Sequence, residues 1–143
     1  MFNIKFAETA EVIERCFPVM QELRAHLKED QFVSRVNQQR EAYGYRLIYL
    51  EEEGDIVAVA GYRVFENLAW GRTLYVDDFV TAKEFRRQGH GDQLMEWLIA
   101  EARRQQCAQL HLDSAVQRHA AHRLYMSRGL NITSHHFSIS LSD

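Results

Sequence analysis

The stretch "FVTAKEFRRQGHGDQLMEWLI", Phe79 to Ile99, decides the fold. It starts as a β-rich run, passes two arginines and two glycines, and continues with Leu94, Met95, Leu98, Ile99 and Ala102 on one helical face. A strand that turns into a helix presents the helix's first N–H groups, which carry partial positive charge, at the turn. Glycine lets a ligand approach that backbone with no Cβ in the way. Gly89 and Gly91 with Arg86 and Arg87 beside them thus suit a phosphate, although a geometric turn beside a solvated basic face has the same residues. The pattern is neither a Walker loop nor a dinucleotide fingerprint.

Downstream, "CAQLHLDS" (Cys107 to Ser114) reads as a short strand, "VQRHAAHRLYMSRG" as a helix stopped by Gly129, and "LNITSHHFSISL" as closing β-structure. Upstream lies a strand, "GRTLYVDDFVT", and before it two β-rich runs around "EEGD" form an antiparallel hairpin. The N-terminal part predicts a strand over Phe2 to Ala7 and then a helix carrying Val12, Ile13, Cys16 and Phe17. Pro18 fits the first turn of a second helix with Met20, Leu23 and Leu27. Phe32, Val33, Val36 and Tyr43 mark another helical piece, which Gly44 ends. The order β, helices, β, β, β, α, β, α, β gives an α/β (α+β) fold with a mixed central sheet.

The 143 residues suit a single domain, 1–143, with a core that needs neither disulfides nor structural metal. No run approaches the roughly 20 apolar residues of a membrane span, and Cys16 and Cys107 lack paired spacing. The expectation is a soluble, cytoplasmic protein with no signal peptide. A net charge of −3 argues against nucleic acid as a partner. His119 and His122 are spaced for a metal, but no third ligand is evident and none is expected. Glu51, Glu52, Glu53 and Asp55 read as a solvated hairpin tip.

The central stretch resembles the GNAT superfamily of acyl-CoA-dependent N-acetyltransferases. Arg86, Gly89 and Gly91 occupy the fixed places of that family's Gln/Arg-x-x-Gly-x-Gly/Ala motif. "AAHRLYMSRGL" is similar to its second motif, with Ala121, Leu124, Tyr125 and Gly129 in register and Leu130 replacing the usual aromatic. The resemblance implies a parallel strand pair splayed by a β-bulge, with acetyl-CoA between the two strands. The pantetheine arm would pair with Phe79, Val80 and Thr81, and the pyrophosphate would meet the turn from Arg86 through Arg87, Gln88, Gly89, His90 and Gly91 to Asp92.

The implied reaction is direct attack of a primary amine, on a small molecule or a protein, on the thioester. It needs a base for the amine and an acid for the departing thiolate. Tyr125 matches the family's acid, and Asp113 stands where some members carry a basic glutamate; a core aromatic and a helix cap are the structural readings of the two. Asp77 and Asp78 are rivals for the base, one expected on each side of the sheet, and His111 shares a strand face with Asp113. Arg118 stands where the family often has a cofactor-contacting asparagine. The alternative is a non-catalytic acyl-CoA-binding regulatory domain on the same scaffold. A homodimer is the default assembly.

Overall fold

A computed structural model describes residues 3–142. The chain divides into two compact units, one reaching Leu112 and one beginning at Asp113.

The first unit holds one five-stranded sheet in the order β1-β2-β3-β4-β5. Its strands are β1 (Ile4–Phe6), β2 (Arg46–Glu52), β3 (Asp55–Asn67), β4 (Gly71–Thr81) and β5 (Gln109–Leu112). Neighbours from β1 to β4 are antiparallel, and β4 with β5 is parallel. The β2–β3 hairpin turns through Glu53 and Gly54, at φ 51° and 86°. Both values are left-handed, which matches the right-handed twist of the flanking strands. Phe2, expected in the first strand, lies outside the described residues.

Helices α1 (Ala10–Leu23) and α2 (Glu29–Tyr43) cover one sheet face. Ile13, Cys16, Phe17, Val19, Met20, Phe32 and Val36 form a common core there with Tyr45, Leu47, Tyr49, Val59 and Val80. Helix α3 (His90–Arg104) packs on the other face, where Trp97 meets Phe6 edge-on and Tyr62 at a tilt. Thr9 caps α1 by accepting from the Val12 amide, and Gly44 ends α2 in the left-handed conformation at φ 73°.

Two expectations fail. Pro18 does not open a second helix but lies inside α1. It points to solvent while Cys16, Phe17, Val19 and Met20 are buried on either side of it. Water can meet the carbonyl that the missing N–H leaves free, and burial of that continuous stripe outweighs the local preference. The closing β-structure is also absent. In the second unit α4 (His119–Ser127) ends where Gly129 takes φ 88°, but residues 130–142 form no strand. Phe137, Ile139 and Leu141 alternate as a strand would, yet all three are exposed. A strand exists only with a hydrogen-bonded neighbour, and none of the described residues pairs with this segment.

Candidate active site

Strand β4 creates the site by breaking its own regularity. Gly61 pairs with Asp78 and Tyr62 with Val76, so Asp77 is an extra residue on β4. Such a bulge bends the strand and upsets the alternation of side chains. Pairing of β4 with β5 runs from Thr73 to Val76 and stops there. Beyond the bulge Phe79, Val80 and Thr81 pair with β3, and among the described residues no other strand lies beside them. The bulge expected from the family resemblance is present, and the β4–β5 pairing ends at it.

A short 3-10 turn, Lys83–Phe85, leads from β4 toward α3. Arg87 at φ 66° and Gly89 at φ 83° then turn the chain into the helix, and no side chain caps it. Among the described residues no acceptor occurs for the amides of Arg87, Gln88, Gly89, His90 and Gly91. A Cβ at Gly89 would meet nothing within 4 Å, so glycine serves the positive φ and keeps the approach open. Arg86, Arg87 and Gln88 are exposed there; Arg86 donates from Nε to the Thr81 carbonyl at 3.2 Å. Gly91 and Asp92 are half-buried in the first helical turn. His90 is buried, with Nδ1 lacking a hydrogen-bond partner among the described residues. The turn is thus a cluster of N–H donors without acceptors beside two exposed arginines, fit for a multiply charged phosphate.

On the α1–α2 face of the same unit lies a cavity of about 540 Å³. Both Asp77 and Asp78 line it, which corrects the expectation of one on each side of the sheet; the extra residue of the bulge removes the alternation. Each carboxylate has a guanidinium. Arg63 donates to both Asp77 oxygens at 2.8 Å, and Arg24 donates from Nε to Asp78 Oδ1 at 2.9 Å and from Nη2 to the Asp77 carbonyl at 2.8 Å. The Tyr45 hydroxyl donates to Asp78 Oδ2 at 2.8 Å. Tyr45 crosses the sheet directly over Gly61, where any Cβ would fall inside its ring. Sequence reasoning missed Tyr45, Gly61, Arg24 and Arg63. A lone glycine inside a β-rich run was the available signal, since it marks a bulge or a close approach.

His111, on the strand that leads to Asp113, is stacked on Trp70 with ring centroids 3.6 Å apart, and its Nε2 meets Gln109 Oε1.

In the second unit Tyr125 is 6% exposed on α4. Burial raises its hydroxyl pKa above the ordinary tyrosine value, and the Arg118 guanidinium, which hydrogen-bonds it, pulls the other way. Arg118 therefore attends the tyrosine, a role the sequence did not suggest. Asp113 is half-exposed, and its Oδ1 lies 3.1 Å from Nδ1 of His136. Among the described residues no group of three or more metal-ligating side chains is assembled, and no helix is long and apolar enough to cross a membrane.

A strand edge with no neighbouring strand, followed by a glycine-turned helix N-terminus without a side-chain cap, is a geometry that suits an extended ligand with a phosphate end. The comparisons agree: residues 6–130 match the model of the Acetyltransferase (GNAT) family, and the chain belongs to it. It is an acetyl-CoA-dependent N-acetyltransferase by that membership. Over 138 residues it is 29% identical to an uncharacterized N-acetyltransferase, YhdJ, of Bacillus subtilis (strain 168), covering 96% of this chain and 97% of that one. Among solved structures it is similar to a transcriptional regulator from Bacillus halodurans C-125, at TM-score 0.86 and 19% identity over 99% and 100% of the two chains. It is also similar to AAC(6')-Iy, solved with a CoA-linked bisubstrate analogue, at TM-score 0.84 and 11% identity over 100% and 99% of the two chains. At these identities the two structures speak for the fold.

Proposed function

We propose that the chain, as one catalytic domain, transfers the acetyl group of acetyl-CoA to a primary amine by direct attack in a ternary complex. The observation that carries this reading is the end of β4–β5 pairing at Val76, which leaves no strand beside Phe79–Thr81 among the described residues, followed by amides from Arg87 to Gly91 with no acceptor. The edge offers backbone partners to the amides of the pantetheine arm. The turn offers N–H groups to the pyrophosphate, while Arg86 and Arg87 offset its charge.

The neutral amine nitrogen attacks the thioester carbonyl carbon, and the C–S bond breaks as the intermediate collapses. The amine's proton goes to the base, and the thiolate takes a proton from the acid. Tyr125 is the acid: its buried hydroxyl keeps its proton at neutral pH, and Arg118 stabilises the phenolate left behind. Asp113, held against His136, is the base. Asp77 and Asp78 suit the role less well, because guanidiniums and the Tyr45 hydroxyl already engage their oxygens. The unpaired cysteines favour the cytoplasm, and the exposed apolar residues of the C-terminal segment favour a homodimer.

Release of free thiol from acetyl-CoA in the presence of an amine tests the assignments. Tyr125→Phe and Asp113→Asn should each lower kcat by about 10²- to 10⁴-fold with KM for acetyl-CoA unchanged. Unaltered turnover in either variant removes that residue from its role.

A further inference from the structure

The cavity on the α1–α2 face says more about the acceptor, on the premise that the chain is the amine transferase proposed above. Its volume of about 540 Å³ suits a small molecule. Met20, Leu27, Phe32 and Val36 make part of its wall apolar. Its charged lining is Arg24, Arg35, Arg63, Asp77 and Asp78, so three guanidiniums face two carboxylates. That leaves one positive charge, in a chain whose net charge is −3.

The charges are also sorted. Arg63 is matched to Asp77 and Arg24 to Asp78. Arg35 lies on the cavity side of α2, one turn from Phe32 and Gln39, and among the described residues it has neither a hydrogen bond nor an ion pair. A polycation such as a polyamine would meet two neutralised carboxylates and one unopposed guanidinium. An amine with its own negative charge meets the reverse. Asp78 has one oxygen on Arg24 and one on Tyr45, and a carboxylate has about four lone-pair positions, so room is left for an incoming N–H. A guanidinium receives a carboxylate or a phosphate through paired N–H donors.

We propose that the acceptor is a small primary amine bearing an anionic group, and that Arg35 is the residue that holds that group. The amine end lies toward Asp78 and Tyr45, and the anion lies toward Arg35 at the mouth.

The test is thiol release at saturating acetyl-CoA with two matched pairs, phosphoethanolamine against ethanolamine and leucine against leucinamide. It is run on the wild type, Arg35→Gln and Arg35→Lys. Arg35 is exposed, so both variants should keep the fold, which circular dichroism checks. In at least one pair the anionic member should exceed its neutral partner in kcat/KM by about tenfold to a hundredfold. Arg35→Gln should erase that preference through KM, and Arg35→Lys should restore part of it. The pair that responds tells a phosphate from a carboxylate. Equal use of both members, or a preference that survives Arg35→Gln, overturns the proposal. Release with spermidine alone would overturn it while leaving the transferase reading in place, and release with no amine at all would overturn both.

Discussion

Alanine at Gly61 should disturb the acceptor side of this protein far more than so small a change suggests. Gly61 faces Asp78 across the bulge, and a Cβ there falls inside the ring of Tyr45, which is 4% exposed. The ring must leave, or β3 and β4 must part. Forcing a methyl group into a packed core costs about 1–3 kcal/mol. Displacing the Tyr45 hydroxyl from Asp78 removes a hydrogen bond to a carboxylate, worth about 1.5–3 kcal/mol. The expected loss is therefore about 3–5 kcal/mol, a large share of the ~5–15 kcal/mol that holds most domains folded. Tyr45→Phe should cost the hydrogen bond alone. Tyr45→Ala empties the space the new methyl needs, so it should cost much less on a Gly61→Ala background than on the wild type. Urea unfolding followed by circular dichroism measures all of these. In any folded Gly61→Ala protein the acceptor KM should rise while KM for acetyl-CoA stays constant. A loss below about 1 kcal/mol, or strict additivity of Gly61→Ala and Tyr45→Ala, would refute the reasoning.

Stability should fall as the pH rises past about 9. Burial pushes the Cys16 thiol from 9.0 up to about 12 and raises the hydroxyls of Tyr45, Tyr62 and Tyr125 above 10.0, so the unfolded chain sheds these protons first. A melting temperature equal at pH 8 and pH 10.5 would contradict this. Iodoacetamide at pH 8 should label the half-buried Cys107 well before the fully buried Cys16, as read by mass spectrometry; equal labelling would argue against the burial of α1. Arg118→Met should remove the charge that opposes the rise in the Tyr125 pKa, lowering kcat and moving its alkaline limb to higher pH; an unmoved limb would separate Arg118 from the acid.

What the sequence made legible was what local chemistry fixes. The glycine-turned entry to α3, the Glu53–Gly54 hairpin and the Gly44 stop all depend on a few neighbouring residues, and each was readable in order. Pro18 misled because its effect depends on facing solvent, which only the packed α1 decides. The C-terminal segment misled because alternation signals a strand without supplying a partner. The turn from Arg86 to Asp92 lies within one contiguous motif, so its glycine-led entry to the helix could be read directly. The cavity could not, because Arg35, Arg63 and Asp78 come from three separate elements, Arg24 from the residue after α1 and Tyr45 from the segment before β2. A one-residue register shift between β3 and β4 put Asp77 and Asp78 in the same cavity.

Calorimetric titration of acetyl-CoA into the wild type and Gly89→Val tests the central claim most directly. Valine at φ 83° is strained, and its branched side chain would enter the approach that glycine leaves open. The wild type should bind, and a Gly89→Val protein that keeps its circular dichroism spectrum should bind at least about tenfold more weakly. Equal affinity in the two proteins would contradict a cofactor site at the α3 turn.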